Sequence, residues 1–106
     1  MNRAVLNLLT IAAFSLVAGL AIGMDQEPNI DKGKMLFNDP NLGTTGKSCN
    51  DCHSLGRGLK KVGTRQDLEE VVNSCITAAL KGKALDPKSI EMRSLVLYLR
   101  SLGAKD

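Results

Sequence analysis

The sequence predicts an all-α domain behind an N-terminal targeting segment. Two patterns support this. Apolar residues recur at three- and four-residue spacing, the period of one helix face. Leu68, Val71, Val72, Cys75, Ile76, Ala79 and Leu80 form one such series, and Met92, Leu95, Val96 and Leu99 another. No convincing strand pattern interrupts them, and Gly, Pro, Asn and Asp collect between the periodic segments. The chain has 106 residues. That is one domain at most, and too little for a TIM barrel or a doubly wound dinucleotide fold.

The first element is the targeting segment. Arg3 precedes an apolar run over residues 4–22, broken by Asn7, Thr10, Ser15 and Gly19. Ala21-Ile22-Gly23 puts small residues at the −3 and −1 positions of a cleavage site, and Asp25, Gln26 and Glu27 follow at once. Residues 1–23 therefore read as a secretory signal peptide cut before Met24, with an uncleaved membrane anchor as the alternative. Cleavage leaves 106 − 23 = 83 residues and, with Arg3 removed from 14 basic residues against 11 acidic, a charge of 13 − 11 = +2. So small an excess is no nucleic-acid signature. The exported domain, residues 24–106, has no Trp and few aromatic residues. Domains of this size usually add disulfides, a metal or a cofactor to a modest core. Three cysteines cannot all pair with one another, so at least one has another use.

The next elements are a helix over residues 31–37, Asp31-Lys32-Gly33-Lys34-Met35-Leu36-Phe37, and a loop over residues 38–46 rich in Asn, Asp, Pro and Gly. Then comes Cys49-Asn50-Asp51-Cys52-His53, a C-x-x-C-H motif. Two thiols three positions apart lie on one side of a single helical turn. They can add as thioethers to the two vinyl groups of one haem. The following imidazole then becomes the proximal iron ligand. His53 is the sole histidine in the chain. A redox dithiol and a zinc site built from Cys49, Cys52, His53 and Cys75 are the rivals. The first lacks its βαβ context, and an exported small protein favours covalent haem c.

Residues 55–63 form a loop carrying Gly56, Gly58 and Gly63. Thr64 with Asp67 resembles an N-cap for the helix over residues 68–80, and Gly82 can end that helix. Asp86-Pro87 or Ser89 can start the last helix, whose core is residues 92–102.

With these elements in order, residues 30–103 resemble the class I c-type cytochromes. The features are a helix with Gly33 and Phe37, then C-x-x-C-H, then a terminal helix carrying Tyr98. The resemblance implies a small cytochrome c fold in which the N- and C-terminal helices cross beside one covalent haem. Gly33 and Phe37 would then meet the region of Leu95 to Leu99. It also implies a Met as sixth iron ligand, in a loop where this chain has Lys81-Gly82-Lys83. Of the four methionines, Met1 is the initiator, Met24 the expected mature terminus, Met35 a helix residue, and Met92 the remaining candidate. The stretch from Val72 to Leu99 also resembles haem domains of thiosulfate dehydrogenases and related sulfur-oxidising cytochromes. The matching Cys is the distal ligand there, which makes Cys75 a candidate here. Met92, Lys81, Lys83 and an open position are the alternatives. A second departure concerns the Gly-Pro turn whose carbonyl holds the proximal imidazole in many class I cytochromes. The prolines here are Pro28, Pro40 and Pro87, none of them in that loop.

The expected function is single-electron transfer between redox protein partners in the periplasm. It involves no nucleic acid, and the membrane only if residues 1–23 remain attached. One C-x-x-C-H and no catalytic acid–base pair support a carrier. Arg57, Lys60, Lys61 and Arg65 follow the motif and can steer docking to an acidic partner. The alternative is a haem subunit or enzyme of thiosulfate or other sulfur-compound oxidation with a Cys-ligated haem. A gas sensor with a labile sixth site is a third class.

Overall fold

Helix α1, Ile30–Phe37, begins where the Asn29 side chain accepts the Lys32 N–H at 2.7 Å, so one of the helix's unpaired N-terminal donors is satisfied. It buries Gly33 and Phe37, four residues apart on one face. The computed structural model describes residues 27–103. The apolar run of residues 4–22 and the Ala21-Ile22-Gly23 boundary lie outside the described residues. Among the described residues there is no strand, and no helix is long and apolar enough to cross a membrane.

The single turn α2, Cys49–Cys52, follows a loop and starts at Ser48. Two short 3-10 turns, Ser54–Gly56 and Val62–Thr64, carry the chain to α3, Leu68–Ser74. The last helix, α4, is Ile90–Gly103. Of the two starts the sequence offers for it, Ser89 is the one used: its hydroxyl accepts the Met92 N–H at 3.1 Å.

Helix α4 supplies much of the core. Met92, Leu95 and Ser94 are fully buried, and Val96, Tyr98 and Leu99 nearly so. Helix α1 crosses it at Gly33. A Cβ there would stand 2.0 Å from the Ser94 carbonyl oxygen and 2.8 Å from Tyr98 Cβ. One turn later the Phe37 and Tyr98 rings meet with centroids 5.2 Å apart, tilted by 57°. That tilted arrangement suits the quadrupoles of two aromatic rings. The buried Ser94 hydroxyl accepts the Asn29 N–H at 3.1 Å, so the crossing is pinned by a polar contact as well as by packing. Leu68, Val72 and Ile76 complete the core from the other side. Burying a side chain of this size is worth roughly 1.5–3 kcal/mol.

The segment predicted as one helix over residues 68–80 starts and ends differently. Thr64 closes a 3-10 turn instead of capping a helix, and Asp67 engages Arg65 through two hydrogen bonds of 2.8 and 2.9 Å. From Cys75 to Ala79 the chain winds as a π-helix, with Leu80 N–H donating to the Cys75 carbonyl at 3.1 Å. The left-handed residue that ends it is Lys81, at φ 56°, not Gly82. Gly82 is needed for space instead: a Cβ there would meet the Leu42 carbonyl oxygen at 2.7 Å. The irregular stretch that follows is held by Asn73. Its side chain donates to the Leu85 carbonyl at 2.9 Å and accepts the Leu85 N–H at 2.8 Å.

Candidate cofactor site

The C-x-x-C-H segment is built by a local device. Ser48-Cys49-Asn50-Asp51 is an S-x-x-D sequence, and the Asp51 carboxylate reaches back to the Ser48 N–H at 2.6 Å. This starts the turn at Cys49, and His53 leaves it with its N–H still bonded to the Cys49 carbonyl at 2.9 Å. The pattern was present in the sequence and marks the turn's beginning.

Cys49, Cys52 and His53 border one cavity, which encloses about 630 Å³ including its open mouth. Its walls are apolar. Phe37, Leu95 and Leu99 come from the α1–α4 crossing, and Leu59 and Val62 from the connecting loop. Leu68, Val72, Cys75 and Ala79 come from α3 and the π-helical turn. Cys75 lies in the apolar series of residues 68–80, yet it is exposed and not buried in the core; there it borders this cavity. Of the sixth-ligand candidates Cys75, Met92, Lys81 and Lys83, Cys75 alone does so. Met92 is fully buried in the core, and both lysines are exposed away from the cavity wall.

The imidazole is fixed from behind. His53 Nδ1 lies 3.0 Å from the Arg57 carbonyl oxygen. A carbonyl only accepts, so Nδ1 carries the proton and Nε2 is left as the free ligating nitrogen. This supplies the carbonyl that the missing Gly-Pro turn left unassigned. Residue type gave no sign of it, because any residue's backbone can play that part. Burial raises the Cys49 thiol above its ordinary pKa, and the neighbouring Cys75 and Cys52 thiols push it in the same direction.

Two thiols on one turn, an imidazole with a free Nε2 and an apolar cavity beside them fit a thioether-anchored haem. The donors do not fit zinc. Among the described residues no three His, Cys, Asp or Glu side chains gather closely enough to hold a metal ion. Comparison with protein-family models, curated proteins and solved structures finds no match to the chain.

Proposed function

We propose that the protein is an exported monohaem c-type cytochrome that carries single electrons between redox partners. The observation that carries this reading is the C-x-x-C-H turn opening on an apolar cavity with His53 Nδ1 held by the Arg57 carbonyl. In this reading Cys49 and Cys52 anchor haem c and His53 is the proximal ligand. The fold is then the small cytochrome c arrangement, with α1 and α4 crossing beneath the cofactor. A bound haem c supplies a one-electron Fe(III)/Fe(II) couple.

The chain's own part is positional. The Arg57 carbonyl orients His53 and increases its basicity through Nδ1–H. The apolar walls from Phe37, Leu95, Leu99 and Leu68 exclude water and lower the local dielectric, which disfavours the more highly charged oxidation state. Arg57, Lys60 and Lys61 lie in the loop that follows His53 and favour an acidic partner surface.

Cys75 at the cavity wall favours a second reading, a haem subunit of sulfur-compound oxidation with His/thiolate ligation. A single one-electron centre favours the carrier.

The test is the intact mass of the protein from a host able to export and mature cytochromes. The expected mass is that of the chain starting at Met24 plus one haem, retained after acid–organic extraction. Haem released by that extraction, or a mass without haem, overturns the proposal. A chain that carries haem but still starts at Met1 locates the carrier at the membrane instead.

A further inference from the structure

Leu55, two residues after His53, has φ 54° and ψ 30°, the left-handed region that L-residues other than Asn and Asp rarely enter. Its side chain is 89% exposed, so no packing of that side chain compensates the conformation. The compensation lies on the backbone. The Leu55 N–H donates to Asn50 Oδ1 at 2.9 Å. Asn50 is one of the two residues between the cysteines of the motif. An amide nitrogen can only donate to an acceptor, so the carboxamide orientation is fixed by this bond. After Leu55 the turn closes through Gly56 N–H to the His53 carbonyl at 2.8 Å and Arg57 N–H to the Ser54 carbonyl at 3.0 Å. Gly56, at φ 82°, seats the turn on α4, where a Cβ would meet Leu102 Cδ1 at 2.7 Å. The residue the turn delivers is Arg57, whose carbonyl holds His53 Nδ1.

We infer that Asn50 is a positioning residue for the His53 imidazole, acting through the left-handed Leu55 turn and the Arg57 carbonyl. The role given to the imidazole rests on the proposed function. The side chain between the two cysteines thereby sets the orientation of the ligand that follows them. Without its bond to Asn50, Leu55 relaxes to negative φ and the Arg57 carbonyl withdraws from Nδ1. The imidazole then donates less electron density to iron, which raises the midpoint potential.

The experiment compares haem-loaded wild type, Asn50→Ala, Leu55→Gly and the Asn50→Ala/Leu55→Gly double variant. Solvent exchange of the His53 Nδ1 proton is followed by NMR on histidine-labelled protein, alongside the midpoint potential. A hydrogen bond of ordinary net worth corresponds to about a three- to tenfold change in opening. Asn50→Ala is expected to speed Nδ1 proton exchange by about that factor and to raise the potential. The double variant is expected to regain both values, because Gly adopts positive φ without side-chain strain. Leu55→Gly alone should match wild type. Unchanged exchange and potential in a folded, haem-loaded Asn50→Ala protein overturn the inference and leave the proposed function standing. A lower melting temperature with those two readouts unchanged reduces Asn50 to a structural role and overturns it equally. A double variant that stays as impaired as Asn50→Ala also overturns it, since Leu55 is then not the link. A chain that carries no haem overturns both readings.

Discussion

Replacing Gly33 by Ala tests the helix crossing on which the cavity stands. In an isolated helix the change stabilises by about 0.5–1 kcal/mol, because Ala loses less backbone entropy. Here the new methyl would lie 2.0 Å from the Ser94 carbonyl oxygen and 2.7 Å from its carbonyl carbon. Ordinary contact begins at 3.4 Å, a shortfall of 3.4 − 2.0 = 1.4 Å. The obstructing atoms are backbone within α4, so no side-chain rotation relieves the clash. The helices must separate, which opens the Phe37–Tyr98 ring pair and stretches the 3.1 Å bond from Asn29 to Ser94. Overpacking of this kind costs about 1–3 kcal/mol. The lost ring contact adds about 0.5–1.5 kcal/mol. After subtracting the helix-propensity gain, the expected destabilisation is about 0.5–4 kcal/mol. For so small a domain, with a urea slope of about 1 kcal/mol per M, the unfolding midpoint should fall by about 0.5–4 M. Equilibrium urea unfolding of wild type and variant reads this directly. A variant as stable as wild type, or more stable, refutes the close crossing, because helix propensity alone would then decide the sign.

Two further expectations concern the cavity and the segment beyond it. On the second reading, in which Cys75 ligates the iron, Cys75→Ser in the haem-loaded protein should shift the ferric Soret band and raise the midpoint potential, since an anionic thiolate favours ferric iron. Met92→Leu should leave the spectrum unchanged and cost about 1 kcal/mol of packing in unfolding measurements. The reverse pattern would make Met92 the ligand despite its burial in the core. Asn73→Ala removes both hydrogen bonds to Leu85 and should destabilise by about 1–3 kcal/mol. Amide hydrogen exchange at Leu85 should accelerate in that variant, and protection equal to wild type would show that the segment is held by other contacts.

The boundaries the sequence failed to locate have separate local causes. Helical periodicity continues from Leu68 to Leu80, because a π-helical turn changes the pitch without changing which residues are apolar. The Thr64–Asp67 pair matched a capping pattern, but an adjacent arginine competes for the same carboxylate. In contrast, Ser48–Asp51, Asn29 and Ser89 make the short-range hydrogen bonds of helix caps.

By itself the sequence determined the helical class and the grouping of two thiols and an imidazole on one turn, both of which follow from residue spacing along a helix. The meeting of Gly33 and Phe37 with the last helix was implied only by the resemblance of the chain to class I c-type cytochromes. Tertiary structure alone decided that Cys75 borders the cavity while Met92 is sealed in the core. Both lie on apolar faces, and periodicity cannot tell a face packed on other helices from one left to line a cavity. Tertiary structure alone also chose the Arg57 carbonyl as the partner of His53. A backbone acceptor has no residue-type signature: it is placed by the left-handed turn through Leu55 and Gly56 and by the seat of that turn on Leu102.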